Sequence, residues 1–177
     1  MSLQHISDIH EMPVLDLETG EILGQVLKWI VRPDQQKLVA YVLMPPTLWR
    51  KARVVSPTDI VEYGPKMIVV RDQRALIAPD EIMGLSELIQ ADSSMTGFRA
   101  ETESGKLLGT VIDFVIDIVT AKIQQYHIKP QMLTETLQGD WVLPAGKVIK
   151  IENRKIIFPD NILVGIKFAV QQHSPAI

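Results

Sequence analysis

The sequence contains no cysteine, which excludes disulfides, thiolate metal sites and cysteine nucleophiles. It also lacks a basic excess: 18 lysines and arginines stand against 21 aspartates and glutamates, a formal net charge of −3. A protein that grips nucleic acid by neutralising phosphates normally carries surplus positive charge, so the balance weighs against that class while leaving room for a local patch. No run approaches the roughly 18 uninterrupted apolar residues of a spanning helix. Even the most apolar stretch, 111–119, is broken by Asp113 and Asp117. The start, Met1-Ser2-Leu3-Gln4-His5, has neither the basic residues nor the apolar core of a secretion signal. The expectation is a soluble, cytoplasmic protein with no transmembrane segment.

Motifs for catalysis are missing as well. The histidines are His5, His10, His127 and His173, and no two have the spacing of H-E-x-x-H. No serine sits in G-x-S-x-G, and no glycine loop is shaped to cradle phosphate. Asp113 and Asp117 share one face of a strand, but no histidine or third carboxylate stands beside them. They read as a solvated strand face and a turn-forming Asp117. This pattern predicts a chain that is not an enzyme and uses no cofactor or metal.

What the sequence does have is an internal repeat. Thr19-Gly20-Glu21-Ile22-Leu23-Gly24-Gln25-Val26 is answered by Ser104-Gly105-Lys106-Leu107-Leu108-Gly109-Thr110-Val111, 85 residues on, and the same offset joins Tyr41 to Tyr126. A fixed period means one structural unit used twice, here about 80 residues each, enough for a modest core. In the first copy, 12–17, 23–31, 37–44, 54–55, 60–61 and 67–70 read as strands, with turns at Glu18-Thr19-Gly20-Glu21, Arg32-Pro33-Asp34-Gln35-Gln36 and Gly64-Pro65. In the second, the strands are 107–116, 123–128, 142–144, 148–151 and 156–158, with a turn near Asp117-Ile118-Val119-Thr120 and a loop over 130–140. Gly24 and Gly109 lie inside strands, where glycine marks a bulge or a corner. The segment 79–94, opening at Pro79, predicts one or two helical turns and a domain junction.

The order of these signals, an apolar strand, then [Thr/Ser]-Gly-[Glu/Lys]-x-Leu-Gly-x-Val, an Asp-containing turn and a valine-rich strand, resembles the PRC-barrel domain. Val55-Ser56-Pro57 and Leu143-Pro144 resemble that family's short V-P stretch, and the likeness covers 7–71 and 95–159. The second copy departs from it in a polar first strand, Phe98-Arg99-Ala100-Glu101, and in a central loop about three residues longer. Five or six short strands with tight turns point to a small antiparallel barrel or sandwich in each copy, and the resemblance implies a mainly β protein of two tandem small antiparallel barrels, read here as a first domain over 1–78, a partly helical linker over 79–94, a second domain over 95–165 and a tail over 166–177. The family includes the cytoplasmic domain of the photosynthetic reaction-centre H subunit and the C-terminal domain of the ribosome-maturation factor RimM. It implies docking on another macromolecule and brings no catalytic set. The expected function is therefore a non-catalytic adaptor for a protein partner, with self-association left open.

Two features carry candidate interaction residues. Trp49-Arg50-Lys51-Ala52-Arg53 sets an aromatic beside cations, which suits phosphate and a stacked base, or an anionic membrane surface. This supports the alternative, an RNA- or ribosome-associated maturation factor working through Trp49, Arg50, Lys51 and Arg53. In the third strand, Tyr41 and Leu43 match Tyr126 and Ile128 as a shared core face. The opposite face reads Ala40, Val42, Met44 in one copy but Gln125, His127, Lys129 in the other. An apolar outer face predicts contact with the second copy or with a partner.

Overall fold

The computed structural model of the chain describes residues 2–45, 53–131 and 139–164, and the backbone of 168–169. It is mainly β. The first part runs β1 (Leu3–His5), α1 (Ile6–Ile9), β2 (Pro13–Asp16), β3 (Ile22–Arg32), β4 (Lys37–Met44), β5 (Arg53–Val55), β6 (Ile60–Tyr63), β7 (Ile68–Val70), β8 (Leu76–Ile77) and α2 (Leu85–Gln90). There follow β9 (Arg99–Thr102), β10 (Leu107–Asp117), β11 (Lys122–Pro130), β12 (Asp140–Pro144), β13 (Lys150–Glu152), β14 (Lys155–Phe158) and β15 (Phe168–Ala169). The chain divides into two units, Met1–Ser94 with Ile116–Lys122, and Met95–Val115 with Ile123–Ile177. Residues 79–94, expected as a linker, are thus part of the first unit. So is the tip of the β10–β11 hairpin.

Both units have the same strand order: β6-β7-β2-β3-β4-β5-β8 in the first and β13-β14-β9-β10-β11-β12-β15 in the second. Neither order closes on itself, and the sheets are mixed rather than purely antiparallel as the sequence predicts. The pairs β2–β3, β3–β4, β4–β5 and β6–β7 are antiparallel, whereas β2–β7 is parallel. The second unit repeats this with β14 parallel to β9. The cause is the connection that follows β5 in the first unit and β12 in the second. A hairpin reverses the chain, but the short 3-10 turns Pro57–Asp59 and Ala145–Lys147 carry it to the other edge of the sheet.

The repeated glycines have a shared structural cause. Val14 pairs with Gly24 and Leu15 with Ile22, leaving Leu23 as a bulge. Ala100 pairs with Gly109 and Glu101 with Leu107, leaving Leu108 as the equivalent bulge. A bulge bends its strand, and beside each bulge the glycine lies against the backbone of the neighbouring strand, β4 or β11. A Cβ on Gly24 would stand 2.7 Å from the Met44 carbonyl oxygen, and one on Gly109 2.1 Å from that of Lys129. Only glycine fits either place.

Tyr41 and Tyr126 are fully buried at equivalent places on the inner faces. The Tyr41 hydroxyl lies 3.3 Å from that of Tyr63, while the Tyr126 ring meets Phe114 and Phe158 at centroid distances of 6.4 Å each. Burial pushes the Tyr41 hydroxyl well above its usual pKa and that of Tyr63 up to about 12.

The outer face of the first unit is covered from within. Ile30, Ala40, Val42 and Val54 form one buried cluster with Leu85 of α2, and Leu88 and Ile89 pack against it. Leu85, Leu88 and Ile89 have i, i+3, i+4 spacing, the apolar stripe of an amphipathic helix. Ala40 (0% exposed) and Val42 (6%) are therefore closed to a partner, which corrects the sequence reading, while Met44 is 48% exposed. In the second unit the matching Gln125, His127 and Val142 are half-buried.

Candidate binding groove

The β3–β4 hairpin builds the centre of the site. Pro33–Gln35 makes a 3-10 turn that ends on Gln36 in the left-handed region (φ 46°), with the Gln36 amide donating to the Pro33 carbonyl. The chain returns so that Lys37 stands directly opposite Arg32. On the other side of β4, Lys122 stands directly opposite Lys37. The Leu38 amide, donating to the Ala121 carbonyl at 2.8 Å, fixes that register.

Side chains directly opposite across strands share a face, so Arg32, Lys37 and Lys122 form one row over three adjacent strands about 4.8 Å apart. Like charges placed this way destabilise a sheet, by roughly 0.2–1 kcal/mol per pair. Arg32 and Lys37 are half-buried, and neither makes an ion pair with a described residue. Stability does not explain why Arg32 stands opposite Lys37.

The three cations rim a groove of about 640 Å³. Val39, Ile77 and Ile82 give it an aliphatic floor, and all three also pack against the cluster under α2. Ile118 and Val119, from the hairpin tip, supply further apolar wall. Ser56 and Thr58 form a polar lip, their hydroxyls 2.8 Å apart, with Ser56 Oγ capping the 3-10 turn by accepting the Thr58 amide. No aspartate, glutamate or histidine is among the described residues lining the groove, so its hydroxyls have no general base beside them. The arrangement can hold an anion joined to hydrocarbon.

Other polar groups are engaged in the scaffold. Asp16 Oδ1 accepts the Glu18 and Thr19 amides, and Asp117 Oδ1 accepts the Val119 amide at 3.0 Å, the turn role expected of it. Asp113 Oδ1 accepts the following amide, that of Phe114. Buried Glu101 takes Lys155 at 2.9 Å and Arg99 at 3.2 Å. The Arg74 guanidinium and amide beside Asp72 hold its carboxyl down at about 2. His10 meets the edge of Trp29, whose Nε1 donates to the Ser94 carbonyl. Among the described residues no three histidines or carboxylates gather as metal ligands.

Of the residues singled out from sequence, Trp49, Arg50 and Lys51 lie outside the described residues, and Arg53 is exposed at the start of β5. The structure brings none of Ala40, Val42 or Met44 into the groove. Arg32, Lys37 and Lys122 were missed, although two signals pointed to them. Arg32 and Lys37 flank the turn that the sequence predicts at Pro33, and Lys37 and Lys122 are themselves related by the 85-residue offset. No helix among the described residues is long and apolar enough to cross a membrane. Comparison with protein-family models and with curated proteins gives no match.

Proposed function

We propose that the chain is a non-catalytic adaptor, two PRC-barrel-like units in tandem, that binds another protein in the cytoplasm. One observation carries this reading: Lys37 and Lys122, equivalent lysines of the two copies, are joined with Arg32 in a single charged row over an apolar floor. No nucleophile–base pair recurs with it. Among the other recurring residues, Gly20 and Gly105 take positive φ in turns, Gly24 and Gly109 stand beside the bulges and the tyrosines are buried, all in the scaffold, while Glu18 and Glu103 recur as well. A groove with this lining supports recognition of a partner rather than a reaction upon it.

The same cations suit phosphate, so the test needs a nucleic-acid arm. The full chain is immobilised and exposed to lysate of its own cells, with and without ribonuclease. A protein retained in stoichiometric amount after ribonuclease supports the adaptor. Capture that disappears with ribonuclease supports the RNA-associated reading in its place.

A further inference from the structure

We infer that the groove of the first unit is the docking site for an extended acidic segment of a partner protein, its carboxylates lying over Arg32, Lys37 and Lys122 and its aliphatic side chains on Val39, Ile77 and Ile82. This assignment rests on the adaptor reading and gives the partner a chemistry. A cross-strand row of like charges costs stability, and at Arg32 and Lys37 no described carboxylate offsets it. An anion from outside would. Arginine receives a carboxylate through two parallel hydrogen bonds, and lysine adds a compact point charge.

The floor decides which anion. A phosphate or a nucleic-acid backbone has no hydrocarbon to bury on Val39, Ile77 and Ile82, whereas a peptide with both acidic and aliphatic residues supplies both halves of the match. Spacing agrees. Carboxylates two residues apart on an extended chain are separated by about 6.6 Å, close enough to the strand spacing of about 4.8 Å for each to meet its own cation. A groove of about 640 Å³ holds a few side chains rather than a folded domain, within the usual ~300–1,000 Å³ of ligand sites.

The probe is a short fluorescent peptide alternating Glu and Leu, titrated with the full chain and followed by anisotropy at low and high salt. The comparison probes are its Gln–Leu and Glu–Ser counterparts and an oligouridylate of similar length. The Glu–Leu peptide is expected to bind most tightly and to weaken with salt. Arg32→Gln and Lys37→Gln are each expected to weaken it by about ten- to a hundredfold, with circular dichroism confirming that both variants fold. Arg53→Gln, exposed and outside the groove lining, should bind as the parent does. The inference is overturned by absent binding, by equal binding of the Gln–Leu peptide, by indifference to both substitutions, or by preference for the oligouridylate. If a cellular protein is captured but Lys37→Gln captures it equally, the groove assignment fails and the adaptor reading stands. If the peptide behaves as expected but no cellular protein is retained, the adaptor reading fails and the groove keeps its chemistry.

Discussion

Gly24 and Gly109 do the same work in the two units, but with unequal margins. A methyl group at Gly24 meets the Met44 carbonyl oxygen at 2.7 Å, and one at Gly109 meets that of Lys129 at 2.1 Å. Neither contact is tolerable, and both opposing atoms are backbone, so the strands must part. Gly109→Ala is expected to destabilise by about 3 kcal/mol or more and Gly24→Ala by somewhat less, as overpacking does, read from urea midpoints. The Tyr41–Tyr63 pair makes a pH prediction. Burial raises both hydroxyls above the ordinary 10, Tyr63 to about 12, so the unfolded chain releases these protons first. The stability they contribute is full below pH 10 and is lost as pH climbs toward 12. The melting temperature should therefore fall over that interval in the parent, together with the rise of tyrosinate absorbance. Tyr63→Phe should shrink the alkaline loss while lowering stability near neutrality by about 1–3 kcal/mol, because the buried Tyr41 hydroxyl loses its partner.

Among the elements, α2 matters out of proportion to its six residues. It covers Ile30, Ala40, Val42 and Val54 with Leu85, which is fully buried. Leu85→Ala is expected to cost about 2–5 kcal/mol and to speed hydrogen exchange at Ala40 and Val42 in particular. Intact protection there would contradict the covering role. The strands themselves were largely legible in the sequence, since alternation, turn glycines and the Pro33 and Gly64 turns report directly on local backbone geometry. The apolar outer face was legible too, but not its cover. Alternation says that Ala40 and Val42 face away from Tyr41; it does not say which of several apolar surfaces will meet them. The spacing of Leu85, Leu88 and Ile89 was the signal available. The parallel pairing of β2 with β7 was hidden for a related reason, because strand direction depends on whether a turn reverses the chain or crosses it.

Across the whole molecule, the second copy lends its hairpin tip, Ile116–Lys122, to the first unit. That loan brings Lys122 beside Lys37. Local sequence reading could place Lys37 at the start of one strand and Lys122 just before another but could not see that the two strands pair at those residues. The repeat therefore does more than double a scaffold: its equivalent lysines meet, and with Arg32 they form a row of cations along the groove proposed here as a binding face. Lys37→Glu separates the two explanations in one protein. The substitution places a carboxylate opposite both Arg32 and Lys122, worth a few tenths to about 1 kcal/mol for each pair, or a rise of about 1–8 °C in melting temperature for the two together in a chain of this size. The measurement is the melting temperature of Lys37→Glu set beside its affinity for the Glu–Leu peptide. A higher melting temperature with binding lost is the predicted result; a lower melting temperature, or binding undiminished, would contradict the account.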